Sequence, residues 1–151
     1  MSDAAGLYQQ LVLDHQRAPR NYGALADATH HADGVNALCG DHLHMQARCA
    51  DGRIEAVGFT AQACAITMAA ASMLSERAAG FDAAQLERFD ADFSAFLRGE
   101  AGIDPAALGD LAALAELQRY PARRRCALLP FATLRAALAG ATLATTEKDT
   151  P

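Results

Sequence analysis

Leu43-His44-Met45-Gln46-Ala47-Arg48-Cys49-Ala50-Asp51-Gly52-Arg53-Ile54-Glu55-Ala56-Val57-Gly58-Phe59 is the stretch that decides the fold. Leu43, Met45, Ala47 and Cys49 alternate with His44, Gln46 and Arg48, a period of two that suits a strand with one buried face. Asp51-Gly52 is the dipeptide of a tight hairpin turn, since both positions accept positive φ. Beyond it, Ile54, Ala56 and Gly58 alternate with Val57 and Phe59 on a returning strand. A further strand near His30 to Val35 completes a small three-stranded antiparallel sheet.

Helical patterns flank this sheet. Upstream, Ser2 or Asp3 caps a helix from about Ala4 to Gln16, with Leu7, Leu11 and His15 on one face, and Pro19 blocks its continuation. Downstream, Ala65 to Ala79 is rich in Ala, Met and Leu and reads as a buried helix ended by Gly80. Leu86, Phe89, Phe93 and Phe96 form an apolar stripe on a helix from about Ala83 to Leu97, a core face and not a cofactor box. Gly99 to Pro105 breaks it. A short helix from about Ala106 to Gln118 and a last one from about Ala122 or Arg125 to Leu138 follow. The expectation is an α+β fold, three antiparallel strands packed against about five helices. Residues 1–141 form one domain; 142–151, polar apart from Leu143, form a disordered tail.

Composition narrows the function. With 151 residues and 52% hydrophobic content, the chain can bury one core. A formal net charge of −5 argues against general nucleic-acid binding. No apolar run reaches the ~20 residues that span a bilayer. The segment Met1 to Gly6 lacks the basic and apolar regions of a signal peptide. A cytoplasmic protein with reduced thiols is expected, in which four cysteines indicate metal or redox chemistry before disulfides.

Three of those cysteines draw attention. In Leu38-Cys39-Gly40-Asp41, a thiolate and a carboxylate two residues apart could meet one ion on a turn opened by Gly40. Cys39 falls between the first and second strands and Cys64 just past the third, so both gather at one end of the sheet. Cys64 also lies at a helix N-terminus, where backbone N–H groups and the helix dipole favour a thiolate. Cys126 heads the last helix. With Asp41 these thiols form a donor set for tetrahedral zinc or for iron in a cluster. No CxxC pair is present, so spacing alone leaves open a set of buried structural thiols. Cys49, mid-strand on the apolar face, reads as a small core residue. His15 reads as a surface or capping group at its helix end, with a place near the metal as the sharper alternative. His42 and His44 share the polar face of one strand, and only His42, next to Asp41, could substitute as a ligand. Arg119, Arg123, Arg124 and Arg125 read as a solvated basic face.

Four motifs carry a family resemblance. Leu7-Tyr8 through Asp14-His15, followed by Pro19-Arg20-Asn21, looks like the LYxxxxxDHxxxPRN opening of the IscU/SufU/NifU-type iron–sulfur assembly proteins. Asn36 to Asp41 resembles their N-P-x-C-G-D, and Cys64 to Ala69 resembles C-x-I-S-x-A. Pro121 to Leu129 is similar to the P-x-R-x-x-C-A-x-L ending of the SufU branch. Arg125 stands where IscU-like scaffolds carry histidine, and Tyr120-Pro121-Ala122-Arg123 replaces their Leu-Pro-Pro chaperone segment. Ala37 replaces the usual proline. Ala63 replaces the usual glycine, and carries strain if its φ is positive.

The resemblance implies a role in iron–sulfur cluster biogenesis. It points to a zinc-dependent sulfurtransferase that accepts persulfide sulfur from a SufS-like cysteine desulfurase and serves downstream assembly proteins. Cys39, Asp41, Cys64 and Cys126 would hold Zn²⁺, Cys39 would accept the sulfur, and Arg123 would support the site or guide the partner. The alternatives are a scaffold that assembles and transfers a [2Fe–2S] cluster, and a structural zinc domain.

Overall fold

The computed structural model describes residues 3–146, without the side chains of residues 3–5, 7 and 8. The expected cap at Ser2 or Asp3, the placement of Leu7 and the chain beyond Thr146 lie outside the described residues.

Helix α1 (Asp3–Arg17) precedes strands β1 (His30–Asn36), β2 (Asp41–Ala50) and β3 (Arg53–Gln62). Then come α2 (Ala65–Arg77), α3 (Ala83–Leu97), a 3₁₀ segment α4 (Pro105–Arg119), α5 (Pro121–Leu138) and a short β4 (Leu143–Thr145). The hairpin turns at Asp51-Gly52, both at positive φ, as a two-residue hairpin turn requires. The α+β class and the five helical segments agree with the sequence.

The sheet has four strands, in the order β3-β2-β1-β4, because residues 143–145 add in parallel to β1. Where a disordered tail is expected, Thr142 C=O accepts from Asp33 N–H at 2.9 Å, and the buried Thr146 hydroxyl donates to Arg125 C=O at 2.9 Å.

Leu43, Met45 and Ala47 are fully buried on the inner face, as the alternation on β2 indicates. On β3 the inner residues are Ile54, Val57 and Phe59, not one unbroken alternation. Cys49 pairs with Ile54 and Arg48 with Ala56, so Glu55 is an extra residue, and this bulge resets the phase of the strand.

Helices α2 and α5 cover the inner face. Phe93 of α3 stacks on Phe131 of α5 with centroids 4.9 Å apart, and Phe89 and Leu86 complete the stripe. At Gly34 the helix α5 lies so close to β1 that a Cβ would fall onto the Thr133 hydroxyl. Asp82 and Gln85 close a capping box at the start of α3. Gly109, at φ 59 and ψ −136, kinks α4 into two pieces, which the expected single short helix lacks. No described helix is long and apolar enough to cross a membrane.

Candidate metal centre

Three elements bring the donors together. The loop from β1 to β2 is a chain of turns: Asn36 Oδ1 accepts from Leu38 N–H, Asn36 C=O from Cys39 N–H and Ala37 C=O from Gly40 N–H. Gly40 takes φ 70, which its missing Cβ permits. This turn leaves Cys39 exposed and sends Asp41, the first residue of β2, inward to 1% exposure.

Cys64 is the N-cap of α2 and Cys126 is a buried residue in the second turn of α5. Helix α5 begins at Pro121, earlier than expected, so Cys126 sits inside the helix and not at its head. Ligand atoms of Cys39, Asp41 and Cys126 lie within 4.8 Å of one another, and Cys126 Sγ is 3.1 Å from Cys39 Sγ. Cys64 Sγ is 3.6 Å from Asp41 Oδ2. Cys39, Asp41 and Cys126 thus form one group, and Cys64 adjoins it through Asp41 without its Sγ coming within 4.8 Å of all three.

Hydrogen bonds fix the carboxylate. Cys64 N–H donates to Asp41 Oδ1 at 2.7 Å, and the Thr67 hydroxyl donates to Oδ2 at 2.6 Å. The same hydroxyl lies 3.1 Å from Cys126 C=O. Pro130 explains that contact: it lacks the N–H that would bond this carbonyl one turn later. Thr67 thus ties β2, α2 and α5 into one cluster. The residue stands three places after Cys64, where the family pattern C-x-I-S-x-A has serine; that position was the signal for it.

Asp41 has no ion-pair partner among the described residues, although it is buried. A buried carboxylate without a counter-charge is costly, and three adjoining thiols are the soft donors that bind zinc or iron beside it. The residues present fit such an ion.

The thiols differ in acidity. Cys64 is lowered to about 6, chiefly because the Cys126 thiol hydrogen-bonds to its sulfur, with help from the Thr67 hydroxyl and backbone N–H. Burial and the Asp41 charge oppose this. Cys126 is pushed well above the ordinary thiol range, because the proton it gives to Cys64 is held in that bond and because it is buried.

Other expected residues fall elsewhere. Cys49 is half-buried against the core and lies eight residues along β2 from Asp41, about 26 Å at strand rise. His42 points to the opposite face of β2 from Asp41, so it is no substitute ligand. Arg123 is exposed, and its guanidinium makes no hydrogen bond or ion pair among the described residues. His15 corrects the surface reading. It is fully buried, with Nδ1 2.7 Å from Ser72 Oγ and Nε2 3.3 Å from Asp110 Oδ2, and it pins α1 to α2 and α4. Ala63 does not take positive φ, so alanine there carries no such strain.

Among known proteins, the family described as NifU-like N terminal domain matches residues 7–127. The chain is 33% identical over 133 residues to the zinc-dependent sulfurtransferase SufU of Bacillus subtilis (strain 168), covering 88% of this chain and 90% of that protein. It is 30% identical over 132 residues to the iron–sulfur cluster assembly scaffold protein IscU of Thermotoga maritima, covering 87% and 92%. A solved structure from Fervidobacterium islandicum AW-1, titled as an iron–sulfur cluster assembly scaffold candidate for the SUF system, superposes with TM-score 0.80 at 25% identity, covering 88% of this chain and 97% of that one. With four fifths of its length matched in one register, the chain belongs to the NifU-like N-terminal domain family of iron–sulfur cluster assembly proteins.

Proposed function

We propose that this protein is a sulfur carrier of iron–sulfur cluster assembly, working in the cytoplasm with a cysteine desulfurase and delivering to downstream assembly proteins. The observation that carries the proposal is the buried Asp41, without an ion-pair partner among the described residues, set among three thiols of which one is exposed. Cys39, Asp41, Cys64 and Cys126 hold Zn²⁺. Bound there, zinc keeps its cysteine donors deprotonated near neutral pH, which is the state that attacks sulfur.

Cys39 is the acceptor because it is the exposed member of the set and sits on the turn between β1 and β2. Its Sγ attacks the terminal sulfur of the desulfurase's cysteine persulfide. A new S–S bond forms on Cys39, the donor S–S bond breaks, and the desulfurase cysteine leaves as thiolate. Asp41 and Cys64 stay fixed by the Thr67 network. Cys126, 3.1 Å from Cys39, either stays bound to the metal or moves the sulfur onward. Arg125 in place of the scaffold branch's histidine favours this reading over cluster assembly.

A second reading, a [2Fe–2S] scaffold on the same donors, is favoured by the similarity to the Thermotoga maritima protein. Metal content and desulfurase turnover separate the two. About one zinc per chain, with turnover raised by the protein and sulfur acceptance lost in Cys39→Ala, is the expected outcome. Iron with a transferable cluster spectrum and no stimulation supports the scaffold instead. If Cys39→Ala retains zinc and still acquires sulfur, the acceptor assignment is wrong.

A further inference from the structure

The outer face of the sheet carries a second group of metal-binding side chains that the thiol centre does not use. His31 and Asp33 project from β1, and His42 and His44 from β2, all on the solvent side. Asp33 is paired with His44 and lies diagonal to His42, which pairs with Val35. Asp33 Oδ1 is 2.9 Å from His44 Nδ1 and 3.5 Å from His42 Nε2. The His31 ring lies 5.8 Å from that of His44, tilted by 40°. The three facing groups line an open groove of about 420 Å³ with Tyr22, Thr60, Ala61 and Gln62. Among the described residues no Lys or Arg lines that groove.

We propose that His42, His44 and Asp33, with His31 as the additional donor, form a second site on the outer sheet face for a borderline divalent transition-metal ion such as Zn²⁺, Ni²⁺ or Cu²⁺. Imidazole nitrogens and a carboxylate oxygen are the donors these ions take. Ligand atoms about 3.3 Å apart are what a tetrahedral ion with bonds near 2.0–2.1 Å requires. Each of these two histidines lies near that spacing from Asp33 Oδ1, which now accepts from His44, while the His42 and His44 nitrogens stand more than 4.8 Å apart and close only when the rings turn. Histidines two apart on a strand project from the same face, and β2 is held by pairing on both sides, so the backbone under the site is rigid. The His42 and His44 side chains are 59% and 37% exposed and turn at their side-chain torsions to bring their nitrogens onto one ion. Asp41 faces the interior, so this site and the thiol centre occupy opposite faces of the same strand.

The test uses the full untagged chain, reduced and loaded with zinc to saturation of the thiol centre, titrated with Ni²⁺ and Cu²⁺ by calorimetry. One further equivalent binds, Cu²⁺ tighter than Ni²⁺, and the Cu²⁺ form shows nitrogen hyperfine structure in its electron paramagnetic resonance spectrum. His42→Ala and His44→Ala each weaken that equivalent about tenfold or more, with zinc content of the thiol centre unchanged. Failure to bind a further equivalent overturns the proposal. So does a further equivalent whose affinity and nitrogen signal survive the His42→Ala/His44→Ala double variant, since the ion would then be held elsewhere.

Discussion

Replacing Thr67 by valine removes one hydroxyl and nearly nothing else, because the two side chains have closely similar shapes. Thr67 is fully buried, and its hydroxyl donates to Asp41 Oδ2 at 2.6 Å beside the Cys126 carbonyl at 3.1 Å. Valine leaves two buried acceptors, one a carboxylate oxygen, without that proton. A buried acceptor left unsatisfied costs about 1–3 kcal/mol, with the upper part of the range for charged groups. We therefore expect about 2–3 kcal/mol lost from the reduced, metal-free protein. At about 2–4 °C per kcal/mol for a chain of this size, the melting temperature falls by about 4–12 °C. Urea unfolding at pH 7 followed by far-ultraviolet circular dichroism gives the free energy, with Thr67→Ser as control. Serine keeps the hydroxyl and loses one methyl, worth about 1 kcal/mol. If valine costs no more than serine, the hydroxyl does not hold the cluster and the account of the site is wrong. Where Asp41 is a zinc donor, the valine variant also binds zinc about 10–100-fold more weakly, because the group orienting the donor is gone.

Two further predictions follow from other contacts. Gly34→Ala places a Cβ on the Thr133 hydroxyl and destabilises the protein by about 1–3 kcal/mol in thermal unfolding. Adding Thr133→Ala removes the obstructing group and recovers most of that loss; no recovery means that α5 and β1 do not meet there. In the reduced, metal-free protein Cys64 ionises near pH 6, so its alkylation by iodoacetamide rises through pH 6 and levels off above it. The lowered value favours the folded thiolate fully above the pH where an unfolded thiol ionises, and that contribution is lost as pH falls through about 6. A midpoint near the unperturbed value of about 8.5 would refute the Cys126–Cys64 hydrogen bond.

The regular parts of the fold were legible because each signal was local. Period-two alternation on β2 and the Asp51-Gly52 turn are patterns of neighbouring residues, and the Phe stripe on α3 repeats within one helix. What escaped was set by tertiary partners. Strand β4 is three residues long with an exposed Leu143, and it forms because β1 offers it an open edge. The bulge at Glu55 appears in no alternation rule, since only the pairing of Arg48 and Cys49 reveals the extra residue. His15 looked like an end-of-helix polar group, but its burial depends on Ser72 and Asp110, which lie far along the chain. At the centre, the clustering of Cys39, Asp41 and Cys126 with Cys64 beside them was legible from residue type and motif. Thr67 stood in the motif but was given no role, because its bond to Asp41 and its contact with the Cys126 carbonyl join residues far apart along the chain.

The distance along the chain between Cys39 and Cys126 has a consequence for assembly of the protein itself. These two donors are 87 residues apart and come into contact only when the last long helix has docked on the first strand. An ion gripped by both closes a loop as a covalent cross-link does, and for that loop length the chain-entropy contribution is about 4–5 kcal/mol. No partial chain that stops short of α5 has the full set of donors. If the proposed ion is bound, its uptake is thereby a checkpoint on completed folding: a truncated or misdocked chain would leave its thiols unclaimed, and the mature domain would be locked at the moment it becomes competent.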